Sequence, residues 1–145
     1  MPGFLGSYRG TLDAKNRLHI PSKLRQSSDV SLEVSYLTLG LNGCLFLFPR
    51  AEWDRVMTKF DHFSFAHDQA NFFLRMLMAN AGEVSPDGQN RILIPPELAS
   101  QVGITREVRI LGMIRRIEIW SAERFDAYLS GYGKTYEEVA SQLLL

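Results

Sequence analysis

The sequence predicts an α+β protein made of two copies of one unit joined by a helix. Its 145 residues contain the stretch DAKNRLHIPSKL from Asp13, and a closely similar stretch, DGQNRILIPPEL, begins at Asp87, 74 residues later. LFLFPRAEWD from Leu45 is matched by IEIWSAERFD from Ile117, at an offset of 72. Between the copies, FAHDQANFFLRMLMANAG from Phe65 has apolar residues at helical spacing. We therefore expect each half to contain a hairpin, a short helix, two strands and a helix.

The first element of each half is expected to be a pair of short strands around a tight turn. YRGTL precedes Asp13 and RLHI follows the turn. Asp13 and Asp87 open the turns, because a carboxylate there can accept a hydrogen bond from the backbone two residues on. Asn16 and Asn90 stand where a left-handed residue closes a type I turn with a bulge, and asparagine tolerates that conformation well.

Helices are expected to follow. Pro21 and Pro95 each start a short helix at its first position, where the missing N–H costs nothing. The helix between the copies is expected to end at Gly82 as its C-cap and to carry one face made of Phe65, Gln69, Phe72, Phe73, Met76, Leu77 and Asn80. This face is wide enough to pack on the core or on another subunit. The same two alternatives apply to the apolar positions after Pro49, which are Trp53, Val56, Met57 and Phe60.

The chain is expected to end in a helix. Thr135 and Glu138 have the spacing of a capping box, in which each side chain bonds the backbone N–H of the other. The three terminal leucines could pack on the body or on a neighbouring subunit. The resulting organisation is a first repeat at 1–60, a linker helix at 61–82, a second repeat at 83–130 and a C-terminal helix at 131–145.

Composition indicates an ordinary globular protein. Hydrophobic residues make up 46% of the chain and charged residues 22%, so a disordered or fibrous protein is excluded. The most apolar stretch, YLTLGLNGCLFLF, is shorter than the roughly 18 residues that a membrane helix needs. The N-terminus lacks the features of a secretory signal, and the single cysteine fits a reducing compartment, so we expect a cytoplasmic protein.

Charge is balanced overall and uneven locally. The chain has 16 basic and 16 acidic residues, which gives no general attraction to nucleic acid. The first 25 residues are nevertheless basic, with Arg9, Lys15, Arg17, Lys23 and Arg25 against Asp13. A basic end of this kind is either a binding face or a solvated surface.

No constellation of residues predicts an enzyme or a metal site. Cys44 lies in an apolar strand without a nearby base, which is typical of a buried structural thiol. His19 alternates within a strand, and His62 and His67 do not have metal-ligand spacing. Gly-rich phosphate loops and nucleophile elbows are missing from the sequence. We expect no catalytic activity, no metal and no cofactor.

Arg17 and Arg91 are the residues that folding alone does not require. One interpretation pairs each arginine with the aspartate four residues before it, an ion pair of little value at a surface. The other holds a guanidinium at the tip of a turn, where its fork can meet a phosphate or a guanine edge with two hydrogen bonds.

The two DxxxR motifs, each followed by an apolar triplet and proline, together with FLGSYRGTLDAKNRLHIPSKLR near the N-terminus, closely resemble the MraZ family of bacterial transcriptional regulators. The resemblance extends over essentially the whole chain. The family usually has glycine before the arginine, where this chain has Asn16 and Asn90, a change compatible with the same turn.

The resemblance implies two tandem pseudo-symmetric SpoVT/AbrB-like swapped-hairpin halves, assembled into a ring-shaped homo-oligomer without a membrane association. It implies nucleoid-associated binding to double-stranded DNA, at short G-rich direct repeats upstream of the protein's own operon, and regulation of the division and cell-wall gene cluster. The expected DNA-binding residues are Arg17, Lys15, Asn16, Arg91, Asn90, Gln89, Arg9, Lys23 and Arg25, with Asp13 and Asp87 as the turn-forming residues.

Two expectations about binding follow. A neutral protomer should bind DNA weakly, whereas a ring that presents many identical turns can engage successive repeats. The first turn should bind more strongly than the second, because the positions that match Lys15, Lys23 and Arg25 in the second half bring one acid and no base. A ring-forming interaction scaffold without DNA activity is the alternative function.

Overall fold

The computed structural model describes residues 3–144 and contains two antiparallel sheets. The first half supplies strands β1 (Ser7–Thr11), β2 (Arg17–His19), β3 (Ser35–Leu39) and β4 (Leu45–Pro49), with helices α1 (Ser22–Gln26) and α2 (Arg50–Thr58). A 3₁₀ helix (Lys59–His62) and helix α3 (Asp68–Ala79) lead into the second half. That half contains β5 (Gly82–Val84), β6 (Arg91–Leu93), α4 (Pro96–Gln101), β7 (Glu107–Met113), β8 (Arg116–Ser121), α5 (Ala122–Ser130) and α6 (Tyr136–Leu144).

The two halves exchange strands. Six strands form one sheet in the order β1-β7-β8-β4-β3-β5, so that β1 pairs with the second half and β5 with the first. The remaining strands, β2 and β6, pair with each other as a two-stranded ribbon. This is an α+β fold consistent with tandem swapped-hairpin halves, as the resemblance implies.

A pseudo-twofold axis relates the halves. Leu18 pairs with Ile92, its own counterpart in the repeat, at the centre of the ribbon. Phe46 pairs with its counterpart Glu118 at the centre of the large sheet, where β4 meets β8. Because equivalent residues face each other at both places, the axis passes through the ribbon and through the middle of the sheet.

The core lies between the ribbon and the large sheet. Leu18 and Ile92 are almost completely buried, as are the inward residues of the central strands, Leu45, Leu47, Val108, Ile110, Ile117 and Ile119. A Cβ on Gly10 of β1 would lie 3.0 Å from Leu18 Cδ1, which shows how closely the ribbon approaches the sheet. Burying each leucine or isoleucine contributes about 1.5–3 kcal/mol, so this layer fixes the ribbon and the turns that flank it.

The expected local hairpins are corrected by the structure. The strands that flank Asp13 do not pair with each other, because β1 pairs with β7 and β2 pairs with β6. The backbone bonds that link the two sides of this turn are confined to the turn itself, from the Asp13 N–H to the Arg17 carbonyl and from the Asn16 N–H to the Asp13 carbonyl. The turn itself forms as expected, and the strands on its two sides pack in different sheets.

The helix boundaries also differ from the expectation. Pro21 and Pro95 occupy the N-cap positions, one residue before the helices, with ψ values of 138° and 134°. Their carbonyls accept the first helical hydrogen bonds, which an extended cap residue can do. The central helix is capped by His67, so Phe65 lies before it. Asn80 is its C-cap, and Gly82 instead begins β5 because that segment pairs with β3.

Most of the predicted apolar face of α3 is exposed. Leu77 is its buried residue, and the Thr38 hydroxyl donates to the Leu77 carbonyl at 2.7 Å. Phe72, Phe73 and Met76 are exposed. Of the positions after Pro49, only the tryptophan of α2 is buried. The core of this chain therefore covers only a small part of the two faces for which packing on the core or on another subunit was expected.

The C-terminal helix has the predicted cap. The Glu138 N–H donates to Thr135 Oγ1 at 3.1 Å, and the Thr135 N–H donates to the Glu138 carboxylate at 3.4 Å. Leu143 and Leu144 are exposed, while Leu145 lies outside the described residues. Among residues 3–144, no helix has both the length and the apolar character required to cross a membrane.

Candidate nucleic-acid interface

The first DxxxR turn is built around the Asp13 carboxylate. Asp13 Oδ1 accepts hydrogen bonds from the N–H groups of Lys15 and Arg17, both at 2.9 Å. Its Oδ2 accepts from Arg17 Nε at 2.8 Å. The Asn16 N–H donates to the Asp13 carbonyl, and Asn16 has φ of 60°, the left-handed conformation expected for this position. One carboxylate thus fixes both the backbone of the turn and the orientation of the arginine.

The second turn repeats this geometry closely. Asp87 Oδ1 accepts from the N–H groups of Gln89 and Arg91, both at 2.9 Å, and Oδ2 accepts from Arg91 Nε at 2.9 Å. Asn90 has φ of 59°. The same five-residue spacing therefore produces the same structure twice.

Both turn carboxylates are held in the charged form. The pKa of Asp13 lies below its usual value, chiefly because the Arg17 backbone N–H donates to the charged carboxylate. Partial desolvation opposes this shift. The pKa of Asp87 is lowered in the same way, first by the Arg91 backbone N–H. The acceptors that orient the arginines are therefore ionised at neutral pH.

The β2-β6 ribbon brings the two turns together. Arg17 lies opposite Leu93, and Arg91 lies opposite His19, so the two arginines are diagonal neighbours. Arg91 Nη1 is 4.0 Å from Asp13 Oδ2, an ion-pair distance that joins one motif to the other. The swap therefore makes a single surface from motifs that lie 74 residues apart in sequence.

The guanidinium groups retain unused hydrogen-bonding capacity. Each arginine spends its Nε on the aspartate of its own turn, so the ion pairs of the first interpretation are present. The side chains of Arg17 and Arg91 remain 32% and 27% exposed. At such exposure an ion pair adds little to stability, but it does orient the planar group. Terminal nitrogens are then available to an acidic or base-edge ligand.

Lys15 and its counterpart Gln89 are both exposed, at equivalent places in the two turns. Lys23 is also exposed, in α1. These positions allow contact with a ligand on the surface of the turns, with one cation more on the first turn than on the second.

Arg25 stands beside the second turn. The Ile20 N–H donates to the Asn90 carbonyl, which brings the start of α1 against residues of the second half. Arg25 lines a concavity with Pro86 and Asn90, and its Nε donates to the Ile20 carbonyl at 3.3 Å. The expectation that Arg25 supports the first turn stays a prediction, and the structure places Arg25 next to the second turn. Strand exchange places a residue of the first half against the motif of the second.

Arg9 is not brought to the turns. In β1, Gly10 faces the ribbon, so the side chain of Arg9 lies on the opposite face of the sheet. There it pairs in register with Arg109 and lines a cleft that also contains Glu123 and Asp126 of α5. Its cleft therefore contains both acids and another cation of the second half.

Arg106 is a neighbour of the first turn that the sequence did not indicate. Its carbonyl accepts from the Leu12 N–H, directly before Asp13, and its side chain is exposed. The repeat gives no signal for this residue, because the first half has Val34 at the matching position. Only the pairing of β1 with β7 places it there.

Other chemically active side chains do not form a competing site. Cys44 is buried, its thiol donates to the Leu41 carbonyl, and burial raises its pKa to about 12. Within residues 3–144, no three His, Cys, Asp or Glu side chains cluster as metal ligands would.

These features define a class of protein: tandem α+β repeats that exchange strands and present two DxxxR turns on one surface. A family model described as "MraZ protein, putative antitoxin-like" matches residues 4–76 and again residues 77–143. The chain belongs to the MraZ family.

Curated relatives match over nearly their full length. A protein of Heliobacterium modesticaldum is 39% identical over 97% of this chain and 96% of its own. Proteins of Carboxydothermus hydrogenoformans and Saccharopolyspora erythraea are 37% and 38% identical, with the same coverage. Each of the three is named "Transcriptional regulator MraZ".

Proposed function

We propose that this protein is a transcriptional regulator that binds double-stranded DNA in a sequence-specific way through its two DxxxR turns. The observation that carries the proposal is the pair of oriented guanidinium groups of Arg17 and Arg91 on one surface. An arginine held by a carboxylate on Nε can still present its terminal nitrogens to guanine O6 and N7 or to phosphate. The names of the relatives support the same function.

The DNA surface would comprise both turns with their exposed neighbours. Lys15, Asn16, Gln89 and Asn90 belong to the turns themselves, and Lys23 and Arg25 lie on the helix that begins beside the second turn. Lysine contacts with phosphate would supply affinity that depends on salt, and the oriented arginines would supply specificity. Arg9 would contribute through the general field only.

A homo-oligomeric ring would compensate for the neutral charge of the protomer. Exposed apolar side chains occur on or next to the central helix α3 and the C-terminal helices α5 and α6, and include Phe65, Phe72, Phe73, Met76, Leu129, Tyr132, Tyr136, Leu143 and Leu144. Such faces are typical of subunit contacts. A ring carries many copies of the DxxxR surface, so linked contacts can add up on DNA that repeats the same box.

The proposed target is a set of short G-rich direct repeats upstream of the protein's own operon, within the division and cell-wall gene cluster. Boxes about one helical turn apart would all face the same side of the duplex, as a ring of identical surfaces requires. We propose repression as the outcome, exerted in the cytoplasm at the nucleoid, where this DNA lies.

A ring-forming scaffold without DNA activity is the second candidate, because the exposed helical faces would serve it equally well. A scaffold function does not require two arginines oriented on one surface. A gel shift of the intact protein with its own upstream DNA and with a shuffled duplex separates the two functions.

We expect retarded complexes with the upstream DNA at concentrations where the shuffled duplex remains free. Light scattering in the same buffer should return a mass well above the 16.5 kDa of one chain. An assembled protein that binds neither duplex would favour the scaffold and contradict the proposed function.

A further inference from the structure

The two motifs are nearly identical in sequence and geometry, yet one contact breaks their symmetry. Asp13 Oδ2 accepts from Arg17 Nε at 2.8 Å and also lies 4.0 Å from Arg91 Nη1. The reciprocal contact, from Asp87 to Arg17, does not occur within 4.0 Å in the described part of the chain. Asp13 therefore faces two arginines, whereas Asp87 faces one.

This difference changes what each guanidinium can offer a ligand. Arg17 Nε donates to Asp13, and in residues 3–144 neither of the terminal nitrogens of Arg17 makes a hydrogen bond and no second acid forms an ion pair with it. Both can therefore point forward as a fork, which suits the two acceptors on a guanine edge. Arg91 Nε donates to Asp87 and its Nη1 lies 4.0 Å from Asp13 Oδ2, so Nη2 is the terminal nitrogen that does not face the acid of the other turn.

Given the proposed DNA binding, on which this inference rests, we propose that Asp13 assigns different roles to the two arginines. Arg17 reads a base edge with two hydrogen bonds, and Arg91 makes a single contact with a phosphate oxygen. Asp13 is the positioning residue for both groups. The two turns then act on DNA as one unit with a reading side and an anchoring side.

The exposure of these groups indicates a role in positioning rather than in stability. The side chains of Asp13 and Arg91 are 35% and 27% exposed, and ion pairs with that access to water contribute little to folding. Asparagine at position 13 or 87 can still accept the two backbone N–H bonds through its carbonyl oxygen, but its amide group cannot accept from an arginine. Asp13→Asn and Asp87→Asn are thus a matched pair that keeps the turns and alters the arginine contacts.

The first test needs no DNA. The carboxyl resonances of the intact protein are followed against pH by NMR in Arg91→Gln and in Arg17→Gln. We expect Arg91→Gln to raise the pKa of Asp13 as well as that of Asp87, because a nearby cation favours the charged carboxylate. Arg17→Gln should raise the pKa of Asp13 and leave that of Asp87 unchanged. Equal cross-effects in both directions, or none, would overturn the shared role of Asp13.

The second test measures binding to an upstream direct-repeat duplex and a shuffled duplex by fluorescence anisotropy over a range of salt concentrations. Arg17→Lys keeps the charge and loses the fork, so the preference for the repeat DNA should fall roughly 5- to 150-fold. Arg91→Lys should change that preference by less than about two-fold, because a lysine can also contact phosphate. Arg91→Gln should weaken both duplexes together and reduce the salt slope by about one per protomer bound.

The matched pair completes the test. We expect Asp13→Asn to reduce the preference for repeat DNA as Arg17→Lys does, and Asp87→Asn to leave the preference within about two-fold of wild type. Equal loss of preference in Arg17→Lys and Arg91→Lys would contradict the division of roles. A wild-type protein that shows no preference for repeat DNA would refute the proposed function, and the NMR titration would still decide whether Asp13 holds Arg91.

Discussion

The left-handed asparagines provide a quantitative test of the turn structure. Asn16 and Asn90 have φ values of 60° and 59°, a region that costs most L-residues roughly 1–2 kcal/mol. In residues 3–144 neither side chain makes a hydrogen bond, so substitution changes little except the backbone preference. We expect Asn16→Ala to reduce the free energy of unfolding by about 1 kcal/mol, and Asn16→Gly to leave it within a few tenths of wild type.

The assay is urea unfolding followed by circular dichroism, at fixed protein concentration because subunit association would also affect stability. In thermal unfolding, a loss of about 1 kcal/mol corresponds to a decrease in Tm of roughly 2–4 °C for a chain of this size. Asn90→Ala should behave like Asn16→Ala, since the two turns have the same geometry. An alanine variant as stable as the glycine variant at both positions would refute the left-handed turn and, with it, the orientation of the arginines.

Three further changes test other parts of the fold. The lowered pKa values of Asp13 and Asp87 imply a contribution to the free energy of unfolding that is present above pH 3.8 and is lost as the pH falls through the lower folded pKa. On acid titration the wild type should therefore lose stability more steeply than the Asp13→Asn/Asp87→Asn double variant, and equal slopes would contradict this. Gly112→Ala places a Cβ against the backbone of the N-terminal segment and should cost about 1–3 kcal/mol in chemical unfolding, whereas Gly82→Ala meets open space and should be tolerated; equal effects would be evidence against the close approach. Thr38→Val removes the hydroxyl that bonds α3 to β3, so it should lower the free energy of unfolding by about 1 kcal/mol and speed amide hydrogen exchange in α3. Thr38→Ser should retain the contact, and unchanged exchange in the valine variant would contradict its role.

Local features of the fold could be predicted from the sequence. The turn around Asp13, the left-handed Asn16 and the capping box at Thr135 and Glu138 depend on residues within five positions of one another. The chemistry of such segments favours one conformation before any tertiary contact forms. The duplication also predicted the equivalence of β4 and β8, which meet at the pseudo-twofold axis.

The pairing of strands could not be predicted from local patterns. Alternation identifies a strand such as β1 but does not say which strand lies beside it, and a hairpin is the usual assumption for neighbours in sequence. The observed partner, β7, lies nearly 100 residues further along the chain. The exchange of strands was implied only by the resemblance to a swapped-hairpin family, because the periodicity of a strand does not identify its partner.

The composition of the candidate site depends on that exchange. Arg25 is close to the first motif in sequence and to the second in space, and Arg106 enters from the opposite half without any counterpart in the repeat. Charge counted along a segment therefore misplaces the cations that surround each turn. The difference between the turns now depends on Lys15 and on the shared carboxylate of Asp13, both of which belong to the first motif.

One comparison of binding specificity shows directly whether the DxxxR surface with its two oriented arginines is responsible for sequence-specific DNA binding. Fluorescence anisotropy gives the ratio of the dissociation constants for the shuffled and direct-repeat duplexes. This ratio is measured for the wild type and for two double variants, Arg17→Ala/Arg91→Ala and Arg50→Ala/Arg55→Ala. The last variant is a matched control, because Arg50 and Arg55 also form ion pairs one helical turn away from their acids but lie on α2.

We expect the Arg17/Arg91 double variant to stay assembled and to lose nearly all preference for the repeat duplex, while the control keeps the wild-type ratio. Equal ratios in the wild type, the control and an assembled Arg17/Arg91 variant would contradict it.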